Sequence, residues 1–259
     1  RVGLKGNFGW IRLGRGLPAT QSYNSGIIDP WGVTTVAGSV YAPGFATDYV
    51  PGGEARTDGI FYDSPNMGGF KFAFTYSPRK VGTSNPAVVA PAAPTSWSKT
   101  FTSVAIAYMN GPINAMLGYE QNRYGDSLLN LGGNYDMGSA KLFAGYGAVK
   151  GGSAADRFGI AGGASTAATA SMAASAAAST YNGYVTAATG NGRLVSPNET
   201  ITVWSIGATV PMGAAKFLVG YSSFSSDNAG ALNQNGQTWQ RDSKLGVGVN
   251  YALSKRTYV

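Results

Sequence analysis

Residues 70–77, FKFAFTYS, alternate without a break: Phe70, Phe72, Phe74 and Tyr76 share one face, and Lys71, Ala73 and Thr75 share the other. Period-two alternation marks a strand whose two sides meet different surroundings. Just upstream, DGIFYD (58–63) reads as a second strand, and the intervening SPNMGG supplies the Pro, Asn and Gly residues of a short reversal. A continuous aromatic face opposite a lysine leaves few folds open. A soluble sandwich would bury the rings in a core; a membrane barrel would turn them toward lipid.

Composition narrows the choice. The chain has 259 residues, yet charged residues make up only 12% of them, while Gly reaches 38 and Tyr 15. Mean hydropathy is −0.06, and no apolar run approaches the ~18–20 residues of a spanning helix. There is no Cys, which excludes disulfides and thiolate metal sites. There is also no His, so the commonest general base and metal ligand is missing. Nineteen basic against twelve acidic residues give a net charge of +7. That surplus alone fits nucleic acid, anionic lipid or an anion pathway.

The hairpin pattern recurs along the chain. Residues 1–14 alternate Val2 and Leu4 against Arg1, Gly3 and Lys5, turn at Asn7–Gly9, then alternate Ile11 and Leu13 against Trp10, Arg12 and Gly14. Further apolar stripes flank short turns at 110–112, 137–139 and 212–213. A last stripe, Leu245, Val247, Val249 and Tyr251, leads to a turn at 253–256. Connections at the other end are long: 15–57, 78–100, 149–199 and 225–240. Short turns at one end and long loops at the other are the signature of an outer-membrane β-barrel. Tyr76, Tyr119, Tyr146 and Tyr221 each stand near the long-loop end of a strand leaving a short turn, as an interfacial girdle requires, and Tyr108 shares their apolar side. The opposite faces carry Lys5, Lys71, Asn114, Glu120, Asn130, Asn134, Lys141, Lys216, Lys244 and Asn250. A soluble core would not bury so many amides and charges, whereas a water-filled lumen hydrates them. Lys71, Lys141 and Lys216 each follow a short turn closely and read as a ring of ordinary rim lysines at the pore mouth. The Ala/Ser/Thr tract 164–180 has neither an amphipathic stripe nor charge and reads as a surface loop.

Three strings now resemble one family. VGLKGNFGWIRLGR (2–15), RTDGIFYDSPNMGGFKFAFTY (56–76) and KLGVGVNYALSKRT (244–257) are similar to segments of the trimeric general porins of Gram-negative bacteria, betaproteobacterial type. The resemblance implies an all-β, antiparallel transmembrane barrel of sixteen strands, with about strands four to fifteen in this chain. Arg1 opens inside a strand pattern and Val259 closes as another begins, so the chain reads as an internal piece of something longer. The connection 15–57 then corresponds to the family's constriction loop, folded into the lumen, and 149–199 to a long surface loop. Phe61 departs from the family, where a basic residue often stands.

The expected constriction residues follow from face and motif. Arg12 lies on the polar face just before the loop and is the leading member of a basic wall. Arg1 shares that inward face. Arg15 matches the motif, although strict alternation points it outward unless the strand is already giving way to loop. Arg56 heads the second matching string. Asp29, Asp48, Glu54 and Asp58 are candidate acids opposite the wall. The expected function is passive diffusion of small hydrophilic solutes across the outer membrane with moderate anion preference, weakened or inverted by Arg12→Glu. The alternative is a surface adhesin or a ligand-binding uptake barrel. No enzyme chemistry, cofactor, metal or nucleic-acid partner is expected; lipid, lipopolysaccharide and two further copies of the chain are the implied partners.

Overall fold

The computed structural model describes residues 1–24, 26–28, 30–31, 57–78, 100–121, 127–151, 200–227, 241–254 and 257–258. Among them, twelve strands form one sheet in which every strand pairs antiparallel with its neighbours in sequence. These are β1 (Val2–Gly6), β2 (Gly9–Gly16), β3 (Thr57–Asp63), β4 (Phe70–Ser77), β5 (Phe101–Asn110) and β6 (Ile113–Gln121). They continue as β7 (Ser127–Asp136), β8 (Lys141–Lys150), β9 (Thr200–Met212), β10 (Ala215–Ser226), β11 (Arg241–Ser254) and β12 (Thr257–Tyr258). The order runs from β1 to β12, and the two end strands do not pair with each other among the described residues.

The short reversals lie where the sequence puts them. Gly138 and Gly213 adopt φ of 81° and 61° in the β7–β8 and β9–β10 turns, a backbone that residues with a Cβ resist. In the β3–β4 turn the Asn66 side chain accepts a hydrogen bond from the Gly69 amide at 2.7 Å.

One element breaks the all-strand expectation. Ala19–Asn24 form a short helix, α1, whose first free amides, those of Gln21 and Ser22, donate to the Pro18 carbonyl at 3.1 and 3.2 Å. Six residues are too few for a 3.6-residue stripe, so no periodicity announces this helix. With Ile27 and Ile28, α1 packs on Ala73, Ala105, Ala107, Met116 and Val203. Trp31 packs on Leu218. These contacts define the inner face of the sheet.

Register then assigns every strand residue to a side. Lys71 faces Ala107, Ala73 faces Ala105 and Thr75 faces Ser103, all inward. Phe70, Phe72, Phe74 and Tyr76 point the other way, with Phe70 and Phe72 exposed and the Phe70 ring tilted at 52° against that of Tyr108, 4.8 Å between centres. On the same outer side, Tyr76 lies opposite Thr102 and Tyr119 opposite Val104; Tyr119 opposite Leu129 and Tyr146 opposite Leu131; Tyr146 opposite Trp204 and Tyr221 opposite Ile206. Each hairpin thus shifts its tyrosine by the same two residues. Two residues at about 3.4 Å, over two strand spacings of about 4.8 Å, correspond to a tilt of about 35°. Strands tilted by that angle hold the four tyrosines at one height, and barrels that cross the outer membrane tilt by about 35–45°.

Candidate functional site

The candidate site is the inner face, where the strap made by α1 and its flanking residues lies against the sheet. At one end, β2 places Trp10 and Arg12 inward, opposite Asp63 and Phe61 of β3. Arg12 forms an ion pair with Asp63. Its guanidinium lies 4.3 Å from the centre of the Trp10 ring and 5.5 Å from that of Phe61, which is 1% exposed. Phe61 is therefore a wall against which the arginine is held rather than a missing cation. Lys5 stands 5.7 Å from the Trp10 ring, and the Arg1 side chain reaches over Gly16 beside Phe61. Above the pair, burial pushes the Tyr23 phenol of α1 up to about 12; the Asp63 carboxylate adds to the shift and Arg12 opposes it.

In the centre, the strap is fastened by polar contacts. The Thr20 hydroxyl donates to Glu120 at 2.5 Å, and its amide donates to the Ser103 hydroxyl at 3.1 Å. Asn134 donates to the carbonyls of Gly26 and Ile27 at 3.1 and 2.8 Å and accepts from Asn114 at 2.8 Å. These amides are inward-facing, as their parity requires, and they bond to one another and to the strap.

Toward the short turns, Lys141 lies 3.5 Å from Asp136. Lys141 and Lys216 border a recess of about 440 Å³ together with Trp31, Phe143 and Thr209. Among the described residues, no carboxylate stands within ion-pair distance of Lys5, Lys71 or Lys216. All three are on the inner face. The backbone of Lys244 is opposite Ser222 at an inward register; its side chain lies outside the described residues.

Three expectations are corrected. Arg15 and Asp58 face each other across β2 and β3 at outward positions and are exposed, so neither belongs to the constriction; the strand keeps its alternation through Gly16. Glu120 does not line open space, because Thr20 covers it and it is 0% exposed. Asp29, Asp48, Glu54 and Arg56 lie outside the described residues, as does the tract 164–180.

Sequence reading also missed a set of glycines beneath the strap. A methyl group on Gly118 would stand 2.9 Å from Thr20, on Gly132 3.0 Å from Ile28, on Gly207 2.5 Å from Pro30, and on Gly246 2.9 Å from the Trp31 ring. A signal was present: the dipeptide Gly-Tyr recurs at 118–119, 145–146 and 220–221, each time with Gly inward and Tyr outward.

Comparison with known proteins places this geometry. Residues 1–259 match the family model described as Gram-negative porin. The chain is 31% identical over 154 residues to outer membrane porin protein 32 of Delftia acidovorans, covering 54% of this chain and 40% of that protein. An anion-selective porin from Comamonas acidovorans superposes with a TM-score of 0.58 at 20% identity, over 99% of this chain and 63% of the other. A porin solved at 1.8 Å gives a TM-score of 0.56 at 17% identity, over 98% and 70%. At such identities the likeness is one of fold: an outer-membrane antiparallel β-barrel. The chain spans about two fifths of the length of the curated relative.

Proposed function

The chain belongs to the Gram-negative porin family, and from that premise we propose that it is the wall and strap of a passive diffusion channel. It is an outer-membrane protein. Small hydrated solutes cross a lumen narrowed by the 15–57 connection, of which Ala19, Tyr23, Ile27 and Ile28 pack on the inner face. The aromatic outer face meets lipid and lipopolysaccharide, and the working unit is a homotrimer. Size exclusion and the charge of the inner wall supply the discrimination.

One observation carries the direction of that discrimination. Of the inward acids whose side chains are described, Asp63 is paired with Arg12, Asp136 with Lys141, and Glu120 is sealed by Thr20; Asp242 of β11 shares the inward register, with its side chain outside the described residues. Among the described residues, Lys5, Lys71 and Lys216 have no carboxylate within ion-pair distance. An inner face whose described residues hold more cations than free carboxylates attracts anions, so the channel prefers anions; the solved neighbour described as an anion-selective porin supports this reading. The long loops on which an adhesin would rely lie outside the described residues, and nothing on the inner face favours that alternative.

The test is the zero-current potential of the whole natural protein in a planar bilayer across a KCl gradient. A steady conductance with a potential of the anion-selective sign is expected. An insulating protein would overturn the channel, and a cation-selective sign would overturn the preference.

A further inference from the structure

The glycines beneath the strap fall on a line with its own regularity. Gly118 of β6 lies opposite Asn130, and Gly132 is two residues further along β7. Gly132 faces Gly145 of β8; Gly145 faces Ser205, and Gly207 is again two residues on. Gly207 faces Gly220, Gly220 faces Gly246, and Gly248 is two residues beyond. This is the same stagger as that of the outer tyrosines, so the glycines run round the inner wall at constant height. Thr20, Ile28, Pro30 and Trp31 sit on them in chain order, from β6 to β11. Where the wall has no side chains, the strap supplies them.

We propose that this glycine belt gauges the bore of the channel. The belt lets the strap lie flush with the sheet, and its depth decides how much lumen remains. The inference rests on the channel reading but assigns the aperture to residues of the wall opposite the Arg12 end, none of which carries charge. At Gly118 and Gly246 the nearest atoms to an added methyl are side chains alone, those of Thr20 and Met116 at the first and the Trp31 ring at the second. Substitution there meets the strap. At Gly207 and Gly132 the nearest atoms include neighbouring strand backbone, so substitution would strain the sheet itself.

Two measurements on the whole natural protein test this. The seat is read by Thr20→Cys with Gly118→Cys, because an added Cβ on Gly118 lies 3.5 Å from the Thr20 Cβ, within the usual ~3.5–4.5 Å of a disulfide, and the described chain contributes no other thiol. Cross-linking under mild oxidation is expected; its failure overturns the seat. The gauge is read by Gly246→Leu in planar bilayers. This variant is expected to lose conductance and to exclude the larger uncharged solutes that the wild type admits, and Gly246→Leu with Trp31→Ala is expected to recover both. An unchanged Gly246→Leu, or a loss that Trp31→Ala does not relieve, overturns the gauge while the wild-type current still supports the channel. An insulating wild type with the cross-link formed instead overturns the channel reading and the gauge together, leaving the seat.

Discussion

Arg12 is the residue that alternation singles out most clearly, and its surroundings change what it can do. A guanidinium between two rings and paired with Asp63 is held in place, and its field is cancelled close by. The pair as a unit contributes little to selectivity, whereas each member alone contributes much. Asp63→Asn is therefore expected to make the zero-current potential more anion-selective. Arg12→Glu should weaken or invert it, while Arg12→Gln with Asp63→Asn should return close to wild type. A double variant as far displaced as either single one would mean that the two charges act independently. The inward position of Arg12 follows from counting along one strand. Its partner is 51 residues away, and no local pattern reveals it.

At the scale of elements, what could be read and what could not divide by physics. Each strand has one side toward the strap and lumen and one toward lipid, so period two is imposed on it and survives in the sequence. The same count correctly points Arg15 outward, against the motif. The helix α1 is too short for a stripe, and glycines carry no side chain to show which face they serve, so the strap's seat stayed hidden in residues that also suit turns. The outer band offers a test of height. Ile106, between Phe72 and Leu117 in register, lies below the tyrosine ring, and Tyr119 lies in it. Ile106→Lys is expected to destabilise the protein by about 2–4 kcal/mol and Tyr119→Lys by about 0–1 kcal/mol, as for charges at the bilayer midplane and at its interface. Denaturant unfolding from lipid vesicles measures both, and equal costs would refute the assignment of Tyr119 to the interface.

Among the described residues the sheet is a meander in which every strand pairs only with its sequence neighbours, so it can grow hairpin by hairpin. The strap does not follow that rule. Trp31 rests over Gly246 and Gly248, and the second contact joins residues 217 apart (248 − 31). Its seat does not exist until β6 to β11 have assembled, which puts strap docking at the end of folding, after the local contacts that form quickly. The tryptophan is thus a clock for the last step. During refolding into lipid, the slowest fluorescence phase is expected to vanish in Trp31→Phe, while the circular-dichroism signal of the sheet keeps its rate. If the Trp31 phase instead coincided with sheet formation, the two would fold as one unit. On the channel reading proposed above, docking last would also have a temporal meaning: a newly assembled wall would pass through a wide-open interval before the strap lies down, and only then acquire its final sieve.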